Sequence, residues 1–140
     1  LERGIKSFKI VVGARDPQRD ANRLRTLRSL VGDNAYIAVD AFRTFGSLEN
    51  AIERVNLIKE YDIAFVEDPF LESEGILAIA LRDATGVPVS FGESLASSKM
   101  AAQVIDYNQV DVLRIDALII GGVSEFLKAV EYAHKKGKTF

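Results

Sequence analysis

Four acidic positions stand directly after short apolar runs: Ala38-Val39-Asp40, Phe65-Val66-Glu67, Phe91-Gly92-Glu93 and Arg114-Ile115-Asp116. Each is separated from the next by about the length of one strand-plus-helix unit. If the apolar runs are parallel strands, their C-terminal ends share one rim, and neighbouring strands lie about 4.8 Å apart. Asp40, Glu67 and Glu93 would then converge, and three carboxylates so close repel one another unless a cation holds them. An oxygen-only donor set favours a hard divalent ion, Mg²⁺ first and Mn²⁺ as the alternative. A single acid after a strand is usually a helix cap or a loop residue. Four in succession at regular spacing favour a shared site.

The elements that must position these acids are legible. Strands are predicted at Phe8–Val12, Tyr36–Asp40, Ile63–Glu67, Val87–Phe91 and Val110–Ile115, nearly continuous in Val, Ile and Phe, as strands covered on both faces are. Between them run amphipathic stretches. Asp16-Pro17 opens one with the stripe Ala21, Leu24, Leu27, Leu30, ended by Gly32. Ser47, Ser73, Ser97 or Ser98, and Ser124 are the caps expected for the next four. Repeated βα units imply an α/β fold with a parallel sheet. Two architectures suit it, an open doubly wound sheet and part of a closed (β/α)₈ barrel. Periodicity alone favours the first; the one-per-strand acids favour the barrel.

Composition excludes several roles. The chain has 140 residues, a net charge of −2, 48% hydrophobic residues and no cysteine. A nucleic-acid or polybasic membrane surface needs concentrated positive charge, and Arg23-Arg25-Arg28, Lys135-Lys136-Lys138 and Arg15-Arg19 each read as a solvated helix face. Thiolate metal sites and disulfides are impossible. No apolar run reaches about 18 residues, so no spanning helix is expected. Leu1-Glu2-Arg3-Gly4 lacks an initiator Met and a secretory pattern, which suggests an internal piece of a longer, cytoplasmic protein. Unpaired sheet edges in such a piece favour a homo-oligomer.

Lys9-Ile10-Val11, Val39-Asp40-Ala41, Val66-Glu67-Asp68-Pro69, Gly92-Glu93-Ser94 and Ile115-Asp116-Ala117 through Gly121-Gly122-Val123 together resemble the enolase superfamily, more closely its mandelate racemase branch. The resemblance covers nearly the whole chain. It implies strands two to six of the eight-stranded barrel, with a capping domain and the last barrel strands outside residues 1–140. It implies Asp40, Glu67 and Glu93 as metal ligands and Asp116 as the carboxylate of a His–Asp dyad. The activity it implies is Mg²⁺-dependent removal of the proton α to a carboxylate of a small-molecule substrate, as in a sugar-acid dehydratase. Racemisation, epimerisation and cycloisomerisation are the alternatives, and a metal-binding piece that turns over nothing is the non-catalytic one.

Two departures shape the expectation. The family's Lys-x-Lys on this strand is Lys9-Ile10-Val11 here, so the second base is a valine, and a valine cannot take a proton. The dyad histidine is expected past Phe140; His134 falls within the last predicted helix, on its surface. Lys9 and Arg114 are expected to point inward, Lys9 to neutralise the acids or meet a substrate carboxylate and Arg114 to partner the acids and substrate. Phe42 stands where the family commonly has Asn. The 140 residues alone are expected to be inactive.

Overall fold

Strands and helices alternate as β1 (Ser7–Val11), α1 (Pro17–Val31), β2 (Tyr36–Asp40), α2 (Leu48–Ile58), β3 (Ile63–Glu67), α3 (Gly75–Thr85), β4 (Val89–Phe91), α4 (Ser98–Asp106), β5 (Val112–Leu113) and α5 (Val123–Lys135). The computed structural model describes residues 4–140. Leu1, Glu2 and Arg3, on which the expected upstream segment rests, lie outside the described residues. All strand pairs are parallel, and the sheet order is β1-β2-β3-β4-β5. A doubly wound sheet reverses direction at a switch point; this one does not, so it follows barrel order. Consecutive crossovers of one hand keep the helices on one face, where α1 meets α2, α2 meets α3 and α4 meets α5. Thr139 forms a parallel bridge to Val112, continuing the order beyond β5.

The core lies between that helix layer and the side chains the strands send outward. Ile37, Val39, Val66, Val89 and Leu113 meet Leu24, Val55, Leu81 and Ala129, all buried. The opposite, concave face carries Lys9, Asp40, Glu67, Ser90 and Arg114. Between β2 and β3 the register slips: Ile37 pairs with Ile63, yet Val39 pairs with Val66. One extra β3 residue brings Glu67 opposite Asp40, where regular pairing would have placed Val66.

Several boundaries differ from expectation. β4 starts at Val89 because Pro88 has no N–H to give the ladder, and Asp111 Oδ2 accepts the Val89 N–H at 2.9 Å. A three-residue β4 leaves β5 little to pair with, so β5 spans only Val112–Leu113. Asp16, Ser47 and Ser97 cap as expected. Ser73 does not: it lies in a 3₁₀ turn, Glu72–Glu74, whose Glu74 carboxylate accepts the Leu71 N–H. Nor does Ser124, because α5 begins two residues earlier than that cap requires, at Val123 after Gly122, whose φ is 97°. Leu30 is 67% exposed, on the far side of α1 from its buried stripe. Arg28 is no solvated charge; its guanidinium donates to the carbonyls of Tyr61, Gly32, Ala35 and Asp62, tying α1 to the turn after α2.

A carboxylate from α5 also completes the start of α4. Glu125 accepts from Ser98 N–H at 3.2 Å and Ser98 Oγ at 2.5 Å and pairs with Lys128 at 2.7 Å. The Lys128 contact first, then the Ser98 bonds, hold its carboxyl down to about 2. A folded value below the unfolded one stabilises at pH above the ordinary carboxylate range and is lost as pH falls towards 2. Glu125→Gln should therefore melt lower than the parent at pH 7, with the gap closing as pH approaches 2 in paired thermal melts.

Candidate active site

Parallel pairing puts the strand ends together as their chemistry requires. Val11 pairs with Asp40, Asp40 with Glu67, and Glu67 with Ser90. Asp40, Glu67 and Asp68 each offer an oxygen, and these lie within 4.8 Å of one another. Glu93 is not in that compact set. It is held one guanidinium away: Arg114 pairs with Glu67 Oε1 at 2.5 Å through Nε and with Glu93 Oε2 at 2.6 Å through Nη1. Lys9 Nζ donates to Glu67 Oε2 at 2.6 Å and stands 3.8 Å from Asp40 Oδ2. Val11 is 56% exposed on the same face as Lys9, so no protonatable group occupies that place.

Arg43 is the residue that strand-end reasoning misses. Its Nη2 reaches Glu93 Oε1 at 2.8 Å, Glu72 Oε1 at 3.1 Å and Asp68 Oδ2 at 3.3 Å, joining the loops after β2, β3 and β4. Glu72, in the 3₁₀ turn after β3, was missed with it; in such connections no periodicity predicts direction. Phe42, Arg43 and Asp68 have φ of 47°, 60° and 45°. Three non-glycine residues in the left-handed region cost energy that surrounding bonds must offset. Those bonds are Phe42 N–H to Asp40 Oδ1 at 2.9 Å and Arg43 N–H to Asp68 O at 2.7 Å.

Five carboxylates, Asp40, Glu67, Asp68, Glu72 and Glu93, face three cations, Lys9, Arg43 and Arg114. Fully ionised, the cluster would hold two negative charges in surplus, the charge one divalent ion would balance. Asp68 registers the strain. Burial above all, against the pull of Arg43 and helped by Glu93, Glu72 and Glu67, pushes its carboxyl up to about 7. Its buried Oδ1 has no hydrogen-bond partner. An all-oxygen cluster whose carboxylates outnumber its cations fits a hard divalent cation.

Beside the acids lies a cleft of about 400 Å³, lined among others by Lys9, Tyr36, Phe65, Glu67, Ser90 and Arg114. A larger hollow, about 680 Å³, runs along α1 between Ile10 and Leu30 and contains none of the rim acids. Asp116 lies past the end of β5 in an exposed turn, where Oδ1 accepts the Leu118 N–H at 2.7 Å. It does not touch the acid cluster. His134 is exposed on α5.

Gly92 sets the distance between the Glu93 loop and β5. At φ 130°, a Cβ there would come 2.6 Å from the Arg114 carbonyl oxygen. Gly92→Ala should cost about 3 kcal/mol from strain and backbone displacement together. A denaturant midpoint equal to that of the parent would show that the loop yields freely.

Among the described residues no helix is long and apolar enough to cross a membrane. The family profile described as Enolase C-terminal domain-like matches residues 1–140. The L-talarate/galactarate dehydratase of Salmonella typhimurium is 32% identical over 98% of this chain and 34% of its own length. The L-Ala-D/L-Glu epimerase of Clostridium acetobutylicum is 31% identical over 96% of this chain and 37% of its own. Among solved structures, the L-talarate dehydratase of Polaromonas sp. JS666, complexed with Mg and L-glucarate, superposes with a TM-score of 0.89 at 28% identity, over 98% of this chain and 38% of that one. The chain thus spans about a third of the length of the curated relatives it matches.

Proposed function

The chain belongs to the enolase superfamily, in its mandelate racemase/muconate lactonizing enzyme family, and from that premise we propose that it supplies the cation-binding part of a site that removes the proton α to a carboxylate. The observation that carries this reading is the pairing of Asp40 with Glu67 across neighbouring strand ends, in a cluster of carboxylates that outnumber their cations. Asp40, Glu67 and Glu93 would hold a divalent ion, Mg²⁺ before Mn²⁺, with Asp68 kept on Arg43. When bound, the ion supplies a counter-charge for the enolate left behind as the proton departs.

This chain's own side chains do the rest. Lys9 neutralises Glu67 and offers a cation to an entering carboxylate beside the cleft. Asp116 orients an imidazole base, contributed from outside residues 1–140, and stabilises its protonated form. Val11 takes no proton, so a base acts from one face alone. One-sided proton removal suits dehydration, in which the β-hydroxyl takes a proton from a general acid and leaves as water, better than a racemisation that returns the proton to the opposite face. The substrate class that follows is a sugar acid, in keeping with the dehydratase relatives.

Exchange of the α-proton in D₂O, followed by NMR over a panel of sugar acids and dipeptides on the full-length protein, tests this. Exchange should need Mg²⁺, stop with EDTA and be confined to the sugar acids. Exchange of dipeptides alone would replace dehydration with epimerisation. No exchange on any acid, with Mg²⁺ bound, would leave a cation-binding domain without this chemistry.

A further inference from the structure

Every oxygen of Glu67 and Glu93 already has a cationic partner. Glu67 is shared by Lys9 and Arg114, and Glu93 by Arg43 and Arg114. A divalent ion that takes both carboxylates brings its charge up against these side chains, and the one with the fewest other partners is the first to give way. The three cations are not equally replaceable. Arg43 retains Asp68, Glu72 and Ser94 Oγ if Glu93 leaves it. Lys9 holds Glu67 but, among the described residues, makes no ion pair with Glu93, so it does not stand between the two glutamates. Among the described residues Arg114 forms ion pairs with Glu67 and Glu93 alone, and its side chain is 39% exposed, so it has a route outward. Its guanidinium joins the same two carboxylates that the ion must join.

We propose that Arg114 is an exchangeable counter-ion: it bridges Glu67 and Glu93 in the cation-free site, gives them up when a divalent ion loads, and then serves as the anchor for the substrate carboxylate. The inference rests on the cation-site reading above and adds an order to it. A guanidinium released from both acids beside the cleft it lines is an unpaired donor fork, matched to a carboxylate in two parallel hydrogen bonds. Anion binding therefore follows cation binding. Before loading, Arg114 is spent on protein acids; after it, the same group faces the cleft unpaired.

The test is calorimetric and needs no turnover. Mg²⁺ is titrated into the full-length parent, Arg114→Gln and Arg114→Lys, and glucarate is then titrated into each with Mg²⁺ saturating and, separately, with EDTA. Removing a competitor with two charge-assisted bonds should tighten Mg²⁺ about tenfold in Arg114→Gln, each factor of ten being about 1.4 kcal/mol. Arg114→Lys keeps the charge but cannot span both acids, so it should fall between, and it guards against loss of fold in the Gln variant. Glucarate should bind the parent only with Mg²⁺, and Arg114→Gln at least about tenfold more weakly. Unchanged or weaker Mg²⁺ binding in both variants would mean that Arg114 supports the acids rather than competes for them, which overturns the exchange. Glucarate binding equal in parent and variants, or equal with EDTA, overturns the anchor. A parent that binds no Mg²⁺ at all fails the parent reading instead, and this inference with it.

Discussion

Glu67→Gln should lose Mg²⁺ affinity by at least about 100-fold, more than removal of a supporting group around a metal site commonly costs. Glu67 is 2% exposed and sits at the centre of the cluster, opposite Asp40 on one side and joined to Glu93 through Arg114 on the other. Glutamine has nearly the same shape, so packing against the β3 neighbours is retained. What goes is one negative charge and the strongest acceptor for Lys9 and Arg114. The ion loses a charged ligand at the centre of the cluster, and a neutral amide oxygen in its place attracts a divalent cation far less. Glu72→Gln is the matched control. Glu72 shares Arg43 with the cluster but belongs to the rim of the set, so its loss should change Mg²⁺ affinity no more than about threefold. Isothermal titration of both variants beside the parent decides it. Equal losses in the two would mean that net charge alone, and not the Asp40–Glu67 pairing, attracts the ion.

Asp116→Asn should lower the rate of α-proton removal by about 10³-fold while leaving the fold and Mg²⁺ binding unchanged. Asparagine keeps a carbonyl oxygen that can accept the Leu118 N–H, so the turn made by Asp116 Oδ1 survives. The negative charge is what disappears. An imidazole next to a neutral amide is less basic and free to adopt the wrong tautomer; an Asp-to-Asn change in a serine protease triad costs about 10⁴ for that reason. The distinguishing readout is the pH profile. Loss of the carboxylate should lower the apparent pKa of the base, moving the acid limb of the profile to lower pH even as the plateau drops. A uniform drop with no displacement of that limb would assign Asp116 a structural role in the turn.

Much of this arrangement was legible in the sequence because it follows from period and position. Tyr36–Asp40 and Ile63–Glu67 carry strong apolar runs ended by an acid, and both strands form with those bounds. Choosing barrel order over a doubly wound sheet depended on the acids rather than on periodicity, and the unbroken β1-to-β5 order agrees with it. What the sequence hid was set by tertiary geometry. The extra β3 residue that aligns Glu67 with Asp40 leaves no local mark. Arg43 lies in a loop whose left-handed backbone aims it into the acids, and no pattern announces that direction. Asp68 supplies an oxygen to the compact set, while Glu93 stands beyond Arg114. Asp116 was expected at the tip of a six-residue strand and instead stands in a turn beyond a two-residue one, because β4 is too short to extend the ladder.

The most direct measurement is an anomalous difference map from crystals of the full-length protein grown with Mn²⁺. The expected result is a single peak bound by carboxylate oxygens of Asp40, Glu67 and Glu93, with Arg114 withdrawn from the two glutamates. A peak held by Asp68 in place of Glu93, or no peak at this rim while the crystals hold Mn²⁺ elsewhere, would contradict it.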